Sequence, residues 1–360
     1  VYYTDNYSQP LGFSYENVWN VTLDVKQKSD DYHTLQQVET TRQLFFAIRE
    51  FPEVENVAGA HTAPFKLGAS SSGYEIDGRR IRYEVNEVTD SFKDVMGLTL
   101  VSGRWFGKED DAANYDPVVV NLHLAREVFG TEDVVGKLLS PPDARRESRI
   151  IGVITDFRKK GELAELYNYV FERKDLNDPK QRPPRNLLIK VRPGTTAALE
   201  EKLAARMQAI AREWSFEIEP VAEMRASRLK LNLAPIIAGG LVAGFLMIMV
   251  ALGLTGVLWQ NVTQRTREIG LRRAKGATAG NIYGQILGEL LVITSFGLLA
   301  GVAVIIQFPL LDLIDFASGR ILFYSLAISA LLIYALTILC GLYPSRLATK
   351  VHPAQALHYE

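Results

Sequence analysis

The hydrophobic pattern changes character near residue 231: short alternating stretches give way to long apolar runs divided by charged connectors. In the first part, Val18 to Val25 (VWNVTLDV) alternates with a period of two, which predicts a half-buried strand. Between Asp31 and Phe51, Leu35, Val38, Leu44, Phe45 and Ile48 form a helical stripe that Pro52 stops, and Val54 to His61 reads as a second strand. The arrangement recurs later. Asn186 to Val191 (NLLIKV) is strand-like, Pro193 and Gly194 turn the chain, and a helix over Thr196–Glu213 leads to a strand over Ser215–Pro220. Two such βαβ units predict a ferredoxin-like split layer interrupted by a long insertion.

The insertion, Thr62 to Arg185, reads as mostly β. Strands are expected at Gly73–Ile76, Arg80–Val88, Pro117–Asn121 and Arg149–Asp156, with short helices at Asp90–Met96 and Leu122–Phe129. Glu223 to Leu231 then has helix-forming residues that run into the first apolar stretch, so one continuous helix is expected there, with a kink at Pro235.

Three apolar runs follow. Asn232–Gln260 and Ile321–Tyr343 contain no charged residue, and Asn281–Phe308 contains only Glu289. Each is long enough for a membrane span, which takes roughly 20 apolar residues as helix. The segment between the first two runs carries Arg265, Arg267, Arg272, Arg273 and Lys275, whereas the next loop, Pro309–Arg320, carries only Arg320 beside Asp312 and Asp315. Basic short loops stay on the cytoplasmic side. The connector is therefore expected inside, together with a tail holding Arg346 and Lys350, and the large N-terminal domain outside.

Within the connector, Ile269, Arg272 and Arg273 fall at i, i+3 and i+4, which predicts a short amphipathic helix with Gly270 and Gly276 as breaks. Two roles are open for its arginines: setting topology against anionic lipid, or docking a cytoplasmic partner. Glu289 is the one ionisable side chain inside a span, about 12 Å from the start of its run at 1.5 Å per residue. It reads either as a partner for a neighbouring helix or the connector, or as part of an ion path. Gly239, Gly240, Ala243 and Gly244 in the first run, and Gly297, Ala300 and Gly301 in the second, allow close helix approach.

Composition sharpens the division. Residues 1–230 hold 32 basic and 36 acidic side chains, and residues 231–360 hold 8 and 5. The net charge of -1 gives no nucleic-acid-binding character. The single cysteine, Cys340, lies in the last apolar run, which excludes a disulfide framework. His33, His61, His123, His352 and His358 show no metal-ligand spacing. Gly103-Arg104-Trp105-Phe106-Gly107-Lys108-Glu109 is one residue short of a phosphate-binding loop and lacks the Ser or Thr after lysine. A non-catalytic membrane subunit without cofactor is expected, and any ATP hydrolysis belongs to another chain.

The text Thr266-Arg267-Glu268-Ile269-Gly270-Leu271-Arg272-Arg273-Ala274-Lys275-Gly276-Ala277 resembles the signature of FtsX-like ABC transporter permeases. The ending, Tyr343-Pro344-Ser345-Arg346-Leu347-Ala348 and then His352-Pro353-Ala354-Gln355-Ala356-Leu357-His358-Tyr359-Glu360, is similar to that family's, with His358 where an arginine is usual. In the N-terminal part, Asp90-Ser91-Phe92-Lys93-Asp94-Val95-Met96-Gly97-Leu98, Gly103-Arg104-Trp105-Phe106 and Ile151-Gly152-Val153-Ile154-Thr155-Asp156-Phe157 resemble the outer domain of MacB-type permeases.

The resemblance implies an α+β extracytoplasmic domain, a split βαβ porter-like layer with a β-rich inserted subdomain, followed by an all-α transmembrane domain of three visible helices. Its implied division is 1–61 and 186–221 for the porter-like subdomain, 62–185 for the insertion and 222–231 for a stalk. Spans at 232–260, 281–308 and 321–343 then enclose a coupling segment at 261–280 and an outer loop at 309–320, and 344–360 is a cytoplasmic tail. A further span preceding Val1 is expected, since an exported domain of this size needs one.

Such permeases are implied to act as homodimers in the bacterial inner membrane with a separate ATPase subunit, and with a periplasmic adaptor and outer-membrane channel in exporters. The implied coupling residues are Arg267, Glu268, Arg272, Arg273 and Lys275. Export of small hydrophobic compounds or peptides, release of lipoproteins, and signalling to a cell-wall hydrolase all share this architecture.

Overall fold

A computed structural model describes residues 7, 9–25, 35–68, 70–76, 79–139, 146–178, 181–311 and 319–349. The chain forms two compact units, one ending at Leu233 and the other beginning at Ala234.

The first unit is built on one ten-stranded mixed sheet. In chain order its elements are β1 (Val18–Asp24), α1 (Leu35–Arg49), β2 (Val54–Ala60), β3 (Ser70–Ile76), β4 (Arg79–Val88), α2 (Phe92–Met96), β5 (Leu100–Gly103) and β6 (Asp116–Asn121). There follow α3 (Leu122–Phe129), β7 (Ser148–Ile154), β8 (Tyr169–Arg173), β9 (Asn186–Val191), α4 (Ala198–Ile210), β10 (Ser215–Pro220) and the start of α5 (Val221–Gln264). The strand order is β10-β1-β9-β2-β4-β8-β6-β7-β5, with β3 on β4.

Along β10-β1-β9-β2 every neighbour is antiparallel. This is the order of a split βαβ layer, with each crossover helix joining two strands that flank a third. Alternation places Trp19, Val21 and Leu23 of β1 beside Leu187, Ile189 and Val191 of β9, and α1 and α4 cover that face with Leu44, Phe45, Ile48, Leu199, Leu203 and Met207. The helix expected over Asp31–Phe51 is described from Leu35; residues 31–34 lie outside the described residues.

The residues between β2 and β9 extend this same sheet. The junction is a single antiparallel pair, Ala60 with Val88, supported by Thr89 N–H to the Gly59 carbonyl (3.0 Å) and His61 N–H to the Glu87 carbonyl (2.9 Å). Beyond it, β4–β8 and β6–β7 run parallel, and β8–β6 and β7–β5 antiparallel. β5 and β8 are strands that the alternation does not predict.

The core at this junction is aromatic. Phe13, Phe65, Phe92, Trp105, Phe106, Phe157, Tyr169 and Phe171 are buried together, with Phe157 and Tyr169 centroids 4.8 Å apart. Val221 and Met224, from the first turns of α5, are buried in the same cluster. α5 is one helix to Gln264 with Pro235 inside it.

The second unit holds the rest of α5, then α6 (Thr266–Ala274), α7 (Ala279–Leu310) and α8 (Gly319–Thr349). Among the described residues, α5, α7 and α8 are the helices long and apolar enough to cross a membrane. α7 and α8 meet through hydroxyl contacts, Ser295 with Tyr334 (2.8 Å) and Thr294 with Thr337 (3.3 Å), beside the bonds that Ser295 and Thr337 donate to carbonyls of their own helices. The loop expected at 309–320 is shorter at its start, because α7 continues through Leu310; residues 312–318 lie outside the described residues. The helical backbone of α8 continues six residues past the expected end of the span at Tyr343. From residue 343 onward side chains, Arg346 included, lie outside the described residues, and Lys350 lies outside them entirely.

Candidate functional site

α6 lies between two apolar helices and is set off from α5 by one residue, Arg265. Hydroxyls account for the break. Thr263 Oγ donates to the Trp259 carbonyl (2.8 Å), and Thr266 Oγ to those of Thr263 (2.8 Å) and Val262 (3.1 Å). Side chains that bond back along a helix in this way bend it.

The other end of α6 is turned by Gly276, whose φ of +97° suits glycine. Thr278 Oγ then accepts from Asn281 N–H (3.3 Å) and caps α7. Gly270, expected as a break, sits inside α6 and is buried. With helix on both sides its flexibility is not used, and the reversal falls on Gly276 alone.

One face of α6 is bound to α7. Ile269 is buried against Ile282, with Val262 and Ile286 beside them. Arg265 Nη1 donates to Glu289 Oε2 at 2.9 Å. Arg272 donates to Gln285 and to Glu268, and Gln285 Nε2 donates to Glu289 Oε1 at 3.2 Å. Residues 265, 269 and 272 share a face at about 100° per residue. They meet a stripe of α7 at 282, 285, 286 and 289, the spacing of adjacent turns.

The opposite face carries Arg267 and Leu271, both exposed, with Lys275 just beyond the helix. Leu271 is 50% exposed, an apolar side chain on a face it shares with Arg267. Lys275 and Arg272 border a shallow pocket that Gly276, Ala277, Asn281, Ile282 and Gln285 complete.

The coupling residues expected from the sequence are thus divided. Glu268 and Arg272 are engaged with each other, and Arg272 also with α7. Arg267 and Lys275 have no ion pair among the described residues. The side chain of Arg273 lies outside the described residues. Sequence reasoning missed Leu271; it expected Glu289 to partner a neighbouring helix or the connector, and Arg265 is the connector residue that meets it. The helical spacing of Arg267, Leu271 and Lys275 was the available signal for Leu271. Among the described residues no group of three His, Cys, Asp or Glu is placed to hold a metal ion.

A mixed-sheet α+β domain, three apolar helices and a basic turn between the first two define the architecture of a membrane permease component with a large extramembrane domain. The chain belongs to the MacB-like family of ABC transporter permeases: residues 4–206 match the MacB-like periplasmic core domain and residues 240–353 the FtsX-like permease C-terminal.

It is 27% identical over 308 residues to a macrolide export ATP-binding/permease protein MacB of Bdellovibrio bacteriovorus, covering 77% of this chain and 44% of that protein. It is 26% identical over 288 residues to an uncharacterized ABC transporter permease, YknZ, of Bacillus subtilis, covering 77% of this chain and 70% of the relative. The chain thus spans under half the length of the Bdellovibrio relative. Among solved structures, the periplasmic region of MacB from Actinobacillus actinomycetemcomitans aligns with a TM-score of 0.42 at 15% identity, over 62% of this chain and 97% of that one.

Proposed function

We propose that this chain passes the ATP-driven motion of a separate cytoplasmic ATPase across the bacterial inner membrane to its periplasmic domain, in the export of small hydrophobic compounds or peptides. The family supports a permease role, and the export reading draws on the name of the Bdellovibrio relative, a macrolide exporter. The excess of Lys and Arg in the connector supports a cytoplasmic position for it and for the C-terminus, with the domain boundaries expected from the sequence. In this reading an adaptor and an outer-membrane channel receive the substrate, and the permease works as a homodimer. The glycines at 239, 240 and 244, which meet nothing within 4 Å in this chain, support a second helix against α5.

The observation that carries the proposal is the two-sidedness of α6. Arg265, Ile269 and Arg272 bind it to α7, so Arg267, Leu271 and Lys275 are left to meet a partner, with Leu271 as the apolar anchor and the cations as its rim. Glu268 flanks that surface.

The test is co-expression with the cognate ATPase subunit. Arg267→Glu with Leu271→Glu should reduce ATPase retention and its stimulation by the permease about tenfold, roughly 1.4 kcal/mol, with membrane insertion intact. Unchanged retention and stimulation would refute the docking surface.

A further inference from the structure

Three attachments hold the connector to α7, and they fall in order along it. Arg265, at the α5 end, reaches Glu289; Ile269, at the middle, is buried on Ile282; Arg272, toward the far end, reaches Gln285. Gln285 in turn donates to Glu289 at 3.2 Å. The polar members therefore form one chain, Glu268–Arg272–Gln285–Glu289–Arg265, that closes over the Ile269 contact.

Covalently, α6 is joined to α7 only through a turn at Gly276, a residue whose φ of +97° leaves the hinge to glycine. A load on the outer face of α6 reaches α5 directly through the chain at Arg265, but reaches α7 only through the turn at Gly276 and the side-chain contacts. The contact farthest from that turn decides how firmly α6 is held to α7. Arg265 and Glu289, 24 residues apart in sequence, make that contact. Glu289 lies ten residues into α7, about 15 Å at 1.5 Å per residue. Both side chains are about half-exposed, so the pair alone contributes little and the lock draws on the linked network together with the Ile269 contact.

We propose that Glu289 is a positioning residue: through Arg265 and Gln285 it locks the connector helix onto α7, so that a load on α6 is delivered to α7 as well as to α5. The value of the lock to transport rests on the coupling reading above, but its existence does not.

The experiment uses the full chain in lipid nanodiscs, with Cys340 replaced by serine and spin labels at Gln264→Cys, at the end of the connector remote from Gly276, and Val292→Cys, both exposed positions outside the network. The label-to-label distance distribution should be narrow in the parent. It should broaden at least twofold in Glu289→Ala and less in Glu289→Gln, which keeps the shape and a neutral hydrogen bond. The charge exchange Arg265→Glu with Glu289→Arg should restore the narrow distribution. A distribution unchanged in Glu289→Ala would overturn the proposal. So would broadening that the exchange fails to reverse, since Glu289 would then act by packing and not through Arg265. ATPase stimulation measured on the same variants separates the two ideas: a lock that opens without loss of stimulation contradicts coupling through α7 and leaves the lock standing.

Discussion

Arg104 and Asp110 form a two-pronged ion pair, Nη1 to Oδ2 at 2.8 Å and Nη2 to Oδ1 at 2.5 Å, and the same carboxylate accepts the Gly107 N–H at 3.0 Å. The pair staples the turn that follows β5. There Gly103 has a φ of +70°, and an added Cβ would lie 2.2 Å from the Ile151 carbonyl oxygen. Trp105 Nε1 next to it donates to the Asp90 carbonyl at 2.9 Å, and Arg173 grips the Asp90 carboxylate at 2.8 and 2.9 Å. The stretch Gly103–Glu109, which superficially resembles a phosphate loop, is therefore spent on joining β5, α2 and β8.

Burial opposes the charge on Asp110, but the Arg104 guanidinium and the Gly107 N–H outweigh it and hold the carboxyl below its ordinary pKa. A depressed folded-state pKa contributes stability above the unfolded value, near 3.9, and that stability is lost as pH falls through the folded value. Asp110→Asn should destabilise the periplasmic domain by about 2 kcal/mol at neutral pH, with the difference from the parent shrinking as pH falls below the unfolded value. Thermal unfolding followed by tryptophan fluorescence across that range checks it; a difference that does not change with pH would mean that the ion pair is not its source.

Lys159 gives a slope of the same sign in a more alkaline window. Its ammonium is 3% exposed, 3.9 Å from Glu84 Oε2, and donates to the Gly68 carbonyl at 2.7 Å. Burial pulls its pKa down to about 8, with Glu84 resisting. The unfolded value is near 10.4, so between the two the unfolded chain binds more protons and folding stability rises with pH. Tyr169 and Tyr83, whose pKa values burial raises, act only from about pH 10 upward, where the unfolded tyrosines ionise. Denaturant midpoints measured from about pH 7.5 to 9.5 should climb by the equivalent of about 1–2 kcal/mol. The climb should be absent in Lys159→Met; the same slope in both proteins would assign it elsewhere.

What the sequence disclosed follows from how far apart the cooperating residues are. α3 and β9 match their expected limits at Leu122–Phe129 and Asn186–Val191 because a local period and local turn residues define them. β5 escaped because it has four residues and its pairing with β7 is broken between Leu100 and Ser102. β8, YVFER, buries Tyr169, Val170 and Phe171 in succession, so no alternation marks it; its place comes from neighbours on β4 and β6. The connector was legible as text, but its inner and outer faces were not, since Glu289 and Gln285 select the inner one from another helix. The split βαβ order appears in the sequence only as two separate units; the register of β1 with β9 interleaves them.

The glycines of the membrane helices make a last contrast. Gly341 on α8 is where a Cβ would lie 2.8 Å from Leu287 Cδ2 and 3.1 Å from Leu290 Cδ1 of α7, whereas Gly301 on α7 meets nothing within 4 Å. Close approach of α7 and α8 at this point therefore depends on the missing side chain, a few residues from where Thr294 and Thr337 share a hydrogen bond. Alanine can be met by rotation of the two leucine ends, but valine, branched at Cβ, is stiff in a helix and cannot turn away. Gly341→Val should thus overpack the pair by about 1–3 kcal/mol and lower the thermal unfolding temperature of the chain in detergent, with Gly341→Ala intermediate. Gly301→Val should leave the detergent-solubilised monomer unaffected. If the two valine variants melted alike, the α7–α8 contact at Gly341 would not be limiting the packing of the hairpin.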